Sequence, residues 1–161
     1  MKILRQPWNV FVFLFRRSIN NVEFVLLKRK DDGIWQSASG GGEDEETPEM
    51  AAHREAFEET GLPQSVKLYK LDTMSYMEAN IFKCYQQWGE DIYVVPMYYY
   101  AAEYNGDIKI SEEHSEYGWF NYDDAHNLLY WHDNKTALWE LNERLKKGNL
   151  IAGRPTHREN N

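Results

Sequence analysis

The sequence predicts a mixed α/β (α+β) fold in one domain, and three observations support this. The chain has 161 residues, of which 42% are hydrophobic, enough for one sizeable core. Short runs of β-branched and aromatic residues recur between turn signals, and helical patterns are interspersed among them. There is no internal repeat and no linker. We therefore expect one layered domain over residues 1–150, followed by a flexible polar tail at 151–161.

The first third of the chain predicts two strands and a glycine-rich entry to a helix. Phe11–Phe15 and Phe24–Lys30 are apolar runs joined by a polar turn, which is typical of a hairpin. Trp35–Ala38 is a short extended piece. Three consecutive glycines, Gly40 to Gly42, then permit backbone conformations that other residues avoid.

A helix is predicted from Pro48 to Thr60. Thr47 can cap its first turn, and a proline suits the first helical position. Gly61 provides the usual glycine after the last turn. Met50 and Phe57 lie seven residues apart, so we expect both to face the core.

The second half predicts more strands and two further helices. The expected strands are Val66–Met74, Glu78–Tyr85, Ile92–Glu103, Asp107–Ile110 and Tyr117–Asn121. Pro96 within the third of these indicates a sheet edge or a bulge. The expected helices are Asp123–Leu129 and Asn134–Lys147, the latter ending at Gly148.

The charge of the chain is concentrated in one window. Its formal net charge is −8, which disfavours binding of long nucleic acid or an anionic membrane. Residues 43–59 hold eight acids and one base, Arg54, for a net −7, and the rest of the chain is −1. The single Cys84 excludes an internal disulfide, indicates a reducing cytoplasmic location, and is expected to be a buried small apolar residue.

Three acids of this window share one helix face. Glu55, Glu58 and Glu59 fall within an arc of about 100°, and like charges at these spacings repel. One interpretation is a solvated acidic surface, in which water and salt relieve the repulsion. The three glycines upstream and the single internal base favour another, a hard divalent cation such as Mg²⁺ held by oxygen ligands.

The same segment carries a recognisable motif. It begins at Gly40, with Glu46 after five intervening residues and, after seven more, the run Arg54-Glu55-Ala56-Phe57-Glu58-Glu59-Thr60-Gly61-Leu62. This segment resembles the 23-residue Nudix box at every fixed position. Ala56 is small where the box has a bulky aliphatic residue. The resemblance implies an α/β/α sandwich with a mixed sheet, in which the box forms a loop, helix and loop.

The resemblance also implies an activity and a set of site residues. Nudix enzymes hydrolyse nucleoside diphosphates linked to another moiety, with Mg²⁺ or Mn²⁺. The catalytic and metal-binding carboxylates would be Glu55, Glu58 and Glu59, joined by the backbone carbonyl of Gly40. Arg54 would orient these carboxylates, and Glu46 and Gly61 would give structural support.

A later acid is a further candidate for catalysis. Glu113, in an E-H-x-E-x-x-W stretch, would be a metal ligand or the general base; the alternative is an ordinary acid on a surface turn. A box glutamate could equally be the base. His114 is expected to be a structural hydrogen-bonding residue.

Within the family, the chain resembles the bacterial dihydroneopterin triphosphate pyrophosphatases, also called dATP pyrophosphohydrolases. The likeness lies in the approach to Gly40, the Glu113 stretch, Trp131 with Asn134, and Arg5 with Pro7. The sequence departs from that pattern by one residue fewer before Trp35 and by a serine for threonine at residue 39. Candidate substrate-binding residues are Arg5, Lys28, Arg29, Trp35 and Ser39.

Charged and aromatic residues near these positions also have ordinary structural explanations. Lys28 and Arg29 could simply be the charged end of a strand. Trp35, Tyr76 and the run Tyr98–Tyr100 could stack on a purine or pterin ring, but strand aromatics more commonly pack in the core.

The leading hypothesis is Mg²⁺-dependent hydrolysis of a nucleoside or pterin triphosphate to monophosphate and pyrophosphate, by attack of metal-activated water on phosphorus. A second is hydrolysis of ADP-ribose, a dinucleotide polyphosphate or another diphosphate conjugate. A third is a non-catalytic nucleotide sensor, which the complete set of box acids disfavours. The expected partner is a small nucleotide or pterin polyphosphate, and the chain is expected to be a monomer or a homodimer.

Overall fold

A computed structural model describes residues 2–151, so residues 152–161 of the predicted tail lie outside the described part. The strands are β1 (Arg5–Ser18), β2 (Asn21–Arg29), β3 (Trp35–Gln36), β4 (Ala38–Glu43), β5 (Tyr69–Glu78), β6 (Val94–Glu103) and β7 (His114–Phe120). The helices are α1 (Pro48–Thr60), α2 (Tyr122–Leu128) and α3 (His132–Lys147).

The strands form one mixed sheet centred on the long strand β1. Its main path runs β3-β2-β1-β6-β5, while β4 also pairs with β1 and β7 with β2. The β1–β6 pairing is parallel, and all the other pairings are antiparallel. The first part of β1 pairs with β4, in a register that sets Val10 opposite Gly40, and its last four residues pair with β2. This places the glycine-rich segment against the middle of the sheet.

Side chains that alternate along β1 enter two separate cores, one on each face. Phe11, Phe13 and Phe15 join a cluster that includes residues of α2 and α3. Val10, Val12 and Leu14 join a cluster that includes residues of α1. Because successive strand residues point to opposite faces, one strand supplies both cores. The predicted α/β/α sandwich with a mixed sheet is confirmed.

The bounds of α1 agree with the prediction, but its buried face does not. The Thr47 side chain accepts a hydrogen bond from Met50 N–H at 3.2 Å, and Gly61 ends the helix at a φ of 80°. The prediction that Met50 and Phe57 face the core is wrong, because they are 55% and 49% exposed. The buried positions are instead Ala51, Ala52, Ala56, Glu59 and Thr60. These mostly small side chains let the helix lie close to the sheet.

Two strands predicted in the second half are absent from the structure. Residues 78–85 were expected to be extended, but β5 ends at Glu78 and two 3₁₀ turns follow, at Ala79–Ile81 and Tyr85–Trp88. The expected strand at 107–110 is irregular. There Lys109 N–H donates to the Thr60 carbonyl at 2.8 Å, and Ile108 is buried. In both segments, contacts with distant parts of the chain outweigh the local β preference.

Smaller expectations have mixed outcomes. Pro96 lies opposite Tyr76 of β5, and the pairing of β6 with β1 starts at the next residue, Met97, so the proline occupies a local edge. Cys84 is half-buried rather than fully buried. Over residues 2–151, no helix is both long and apolar enough to cross a membrane.

Candidate active site

A cavity of about 440 Å³ opens beside the first residues of the box. Its walls come from β1, the end of β2, the β3–β4 region, the last turn of α1, the turn that precedes β7, and the segment between β5 and β6. The lining residues are Arg5, Asn9, Arg29, Lys30, Asp31, Gln36, Ser39, Gly40, Gly41, Glu59, Phe82, Lys83, Glu113 and His114. The sheet thus brings the box together with five other parts of the chain.

Arg54 hydrogen-bonds to four other residues of the box. Its guanidinium donates two hydrogen bonds to Glu46, at 2.7 and 3.0 Å, and one to the Gly41 carbonyl at 2.8 Å. It also donates to Glu55 at 2.8 Å and to Glu58 at 3.2 Å. The bonds from Arg54 lower the pKa of Glu46 and raise the pKa of Arg54 itself. One arginine therefore joins the loop before the helix to the acidic face of the helix.

Glu55 lies directly against Gly40. A Cβ built on Gly40 would come within 2.0 Å of the Glu55 carboxyl carbon, so only glycine leaves room for this carboxylate. Burial raises the pKa of Glu55 to about 7, although the positive charge of Arg54 opposes the shift. The Glu55 charge is therefore only partly compensated by its surroundings.

Glu59 is the most buried acid of the box, with a side chain 5% exposed. The Ser39 N–H donates to it at 3.2 Å, and His114 Nε2 lies 3.6 Å from its Oε2. Burial, followed by the negative charge of Glu55, raises the pKa of Glu59 to about 9. Burial also lowers the pKa of His114, whose Nδ1 lies 3.3 Å from the Ser111 hydroxyl. Such a buried acid cluster is typical of a site that receives a compensating cation.

Three cations also line the cavity. Arg5, Lys30 and Lys83 come from three separate parts of the chain, and within residues 2–151 none of them makes an ion pair with a carboxylate. Arg29 differs, because Asp31 accepts hydrogen bonds from it at 2.6 and 3.0 Å. The buried Glu59 and these three cations therefore line one cavity, an arrangement suited to a ligand with several negative charges once a metal is bound.

Comparison with known proteins identifies the family. Residues 5–139 match the family model of the NUDIX domain, which is more than half of the chain. The chain belongs to the Nudix family. As a Nudix hydrolase, it is an enzyme that acts on pyrophosphate bonds.

Individual relatives agree with this assignment. The nucleoside triphosphatase NudI of Escherichia coli O81 (strain ED1a) is 30% identical over 111 residues, covering 65% of this chain and 77% of NudI. The crystal structure of a Nudix hydrolase from Listeria monocytogenes str. 4b F2365 is 41% identical, with a TM-score of 0.82 over 91% of this chain and 99% of that one. The E. coli dihydroneopterin triphosphate pyrophosphohydrolase shares the fold, at 23% identity and a TM-score of 0.70 over 88% and 99%.

The donor set of this Nudix hydrolase suits a hard divalent cation, although its side chains are not yet gathered around one. The carboxylates of Glu55, Glu58 and Glu59 and the Gly40 carbonyl are all oxygen donors. Within the described range 2–151, no three acidic, histidine or cysteine side chains converge closely enough to hold an ion. The Glu58 side chain is 52% exposed and hydrogen-bonds to Arg54. Bound metal would offset the partly uncompensated charge of Glu55 and Glu59.

The structure separates the predicted substrate residues into two groups. Arg5, Arg29 and Ser39 line the cavity of this Nudix hydrolase, and so does Glu113. Lys28 does not, and a Cβ on Gly33 would lie 3.8 Å from its Cε. Trp35 packs edge-on against Phe120, with ring centroids 5.5 Å apart, outside the cavity lining.

The candidate stacking tyrosines also lie away from the cavity lining. Tyr99 stacks on Phe11 at 5.0 Å and Tyr98 contacts Trp8, while Tyr100 is 4% exposed in the core. Tyr76 is 52% exposed on β5. Core and cross-strand packing therefore accounts for the run Tyr98–Tyr100.

Sequence reasoning did not select several residues that line the cavity. Asn9 and Gln36 are amides on strands, and Gln36 donates to the Ser39 hydroxyl at 2.9 Å. Phe82 and Lys83 come from the segment that was predicted to be a strand. Gln36 lies within the expected extended piece at 35–38, three residues before Ser39, and this was a usable signal, whereas nothing local connects residues 82 and 83 with the box.

Proposed function

We propose that this Nudix hydrolase cleaves a nucleoside or pterin triphosphate into the monophosphate and pyrophosphate, with Mg²⁺ or, in its place, Mn²⁺ as cofactor. The observation that carries the proposal is the cavity lined by Glu59, by Gly40 and by three cations that make no carboxylate ion pair within residues 2–151. The likeness to a nucleoside triphosphatase of 30% identity supports a triphosphate over other diphosphate compounds.

The three cations would bind the phosphate chain. Arg5, Lys30 and Lys83 approach the cavity from different walls, so together they can contact successive phosphates. Asn9 and Gln36 offer amide groups that can hydrogen-bond the remaining part of the substrate. Lys28 and Trp35 lie outside the cavity lining, and their contacts with the substrate stay predictions.

The carboxylates of the box would hold the metal. Its ligands would be the carboxylates of Glu55, Glu58 and Glu59 and the Gly40 carbonyl, with Glu113 as a further ligand or as the base. When bound, the ion supplies charge neutralisation of the phosphates and a lower pKa for the attacking water. Arg54 holds Glu55 and Glu58 in place through its hydrogen bonds.

In the reaction, the oxygen of a water molecule forms a bond to phosphorus as an anhydride P–O bond breaks. The electron pair of that bond leaves with the departing phosphate oxygen. Glu113 lines the cavity and is exposed, so it can accept the proton that the water loses. A box glutamate is the alternative acceptor.

A product assay tests the proposal. The purified protein is given Mg²⁺ with dATP, the other nucleoside triphosphates, dihydroneopterin triphosphate, ADP-ribose and dinucleotide polyphosphates, and the products are separated by ion-exchange chromatography. We expect a monophosphate and pyrophosphate from one or more triphosphates. Release of orthophosphate instead, or turnover of ADP-ribose or dinucleotides alone, would contradict it.

A further inference from the structure

The segment between β5 and β6, residues 79–93, contacts Arg5 at the wall of the cavity. The Trp88 indole N–H donates to the Arg5 backbone carbonyl at 2.6 Å. The Arg5 guanidinium lies 5.7 Å from the Trp88 ring and 5.8 Å from the Phe82 ring, within cation–π range of both. The rings of Phe82 and Trp88 are themselves in contact, with centroids 5.7 Å apart.

Arg5 is further fixed by its own strand. Nη1 donates to the carbonyls of Gln6 and Trp8, the latter at 2.9 Å, and Nη2 donates to Asn9 Oδ1 at 2.5 Å. A guanidinium has five N–H donors, so its Nε–H and one Nη2–H have no partner within residues 2–151. These remaining donors belong to a side chain that lines the cavity. A planar guanidinium held on several sides is well suited to bind a phosphate through two N–H groups.

We propose that residues 79–93 complete the phosphate-binding side, with Lys83 contacting the substrate and Trp88 positioning Arg5. Lys83 lines the cavity, whereas Trp88 does not. The Trp88 ring lies under the Arg5 guanidinium, and its indole N–H donates to the Arg5 backbone carbonyl. Trp88 therefore acts through Arg5, and losing it loosens a cation that the substrate needs in one orientation. This inference rests on the proposed function, whose substrate carries the phosphates.

The test is a double-mutant cycle between Arg5 and Trp88, read as KM and kcat separately. Arg5→Ala should raise KM about 10- to 100-fold, as expected for the loss of a charge-assisted phosphate contact. Trp88→Leu should raise KM about three- to tenfold with little change in kcat, and Trp88→Phe, which keeps a ring, should have a smaller effect. In the Arg5→Ala background, Trp88→Leu should change KM by less than about twofold.

Matched controls exist elsewhere in the chain. Arg16 lies at the other end of β1 and stacks on Trp119 at 4.1 Å, and Trp139 is 55% exposed on α3. Arg16→Ala and Trp139→Leu should leave KM unchanged. Lys83→Ala should raise KM, while Lys67→Ala, at another exposed lysine, should not. Equal effects of Trp88→Leu with and without Arg5, or none in either, would overturn the positioning role, and an unchanged KM in Lys83→Ala would overturn the contact.

A binding measurement separates this inference from the proposed activity. Inorganic tripolyphosphate is titrated into each variant with Mg²⁺ by calorimetry, and thermal melts establish that the variants are folded. We expect weaker binding for Arg5→Ala, Trp88→Leu and Lys83→Ala. If the wild type binds but hydrolyses no triphosphate, the proposed function fails and the inference stands. If the wild type does not bind, or if folded variants bind as tightly as it does, the inference fails.

Discussion

At the scale of the residue, the roles of Glu55 and Glu59 can be tested by removing charge without changing shape. Glu55→Gln or Glu59→Gln should lower kcat about 10²- to 10³-fold, because each would take a full negative charge from the metal ligands. Both variants should remain folded, since burial opposes ionisation at both positions. Steady-state kinetics and circular dichroism check the two statements.

The control for these variants is Glu45→Gln, an exposed acid within the same box. It removes the same charge from the loop without touching the cavity lining, so kcat should be unchanged. Full Mg²⁺-dependent turnover in both Glu55→Gln and Glu59→Gln would refute the assignment of these carboxylates as metal ligands.

The variant Gly40→Ala should lose activity while its stability stays nearly unchanged. In Gly40→Ala the new methyl group would displace the Glu55 carboxylate, which is the flexible end of a side chain and can move at low cost. We expect a loss of activity comparable to that of Glu55→Gln and a change in the free energy of unfolding below about 1 kcal/mol. Urea denaturation and kinetics measure the two quantities, and an active Gly40→Ala enzyme would show that Glu55 need not lie there.

At the scale of the element, the ends of α1 follow from local chemistry. Gly61 has a φ of 80°, where an L side chain is strained, so Gly61→Ala should cost about 1–2 kcal/mol of stability. Thr47→Ala, at the other end, should cost about 1 kcal/mol because Met50 N–H loses its acceptor. Chemical denaturation measures both. Gly61→Ala as stable as the wild type would mean that the helix end has another support.

The buried face of α1 gives an opposite pair of expectations. Ala56 is fully buried against the sheet, so Ala56→Leu should destabilise the protein by about 1–3 kcal/mol and move the helix that carries Glu55 and Glu59. Phe57→Ser, at a half-exposed neighbour, should change stability by about 0.5 kcal/mol or less. Midpoints of urea denaturation measure both losses of stability. A larger loss in Phe57→Ser than in Ala56→Leu would mean that Phe57 is a core residue.

These elements also show what could be predicted from sequence. The box, the ends of α1 and the placement of Glu113 at the cavity depend on local patterns or on a motif, and sequence was enough for them. Lys28 and Arg29 could not be ranked, because neighbours on a strand face opposite sides and only the register decides which one reaches the cavity. Phe82 and Lys83 were missed because the position of their segment depends on the contact of Phe82 with Arg5, 77 residues earlier.

At the scale of the whole molecule, the uneven charge gains a structural meaning. The window at 43–59 supplies nearly all of the net −8, and the fold brings its buried Glu59 into one cavity lining with three cations, Arg5, Lys30 and Lys83. Those cations are scattered in sequence and leave no basic stripe to detect. Convergence in the fold, rather than total charge, makes an acidic chain suited to a polyphosphate ligand once a metal is bound.

The metal-free protein should lose stability as the pH rises above neutral. Glu59 has an ordinary pKa of 4.5 and a pKa of about 9 in the fold, so between these values the folded state holds a proton that the unfolded state has lost. Raising the pH from 7.5 to 9.0 should therefore destabilise the protein in EDTA, by about 1–2 kcal/mol.

Other shifted groups contribute little in this window. The lowered pKa values of Glu46 and Glu103 matter only at acid pH, and the pKa of His114 is lowered from 6.5. Glu55, with a pKa of about 7, has lost most of its proton by pH 7.5. Melting temperatures in EDTA should fall with pH in the wild type and stay nearly level in Glu59→Gln, which has no proton to lose. The rise in Tm on adding Mg²⁺ should grow with pH, because metal competes with that proton. Equal slopes of Tm against pH in the wild type and in Glu59→Gln would contradict the assignment of this pH dependence to Glu59.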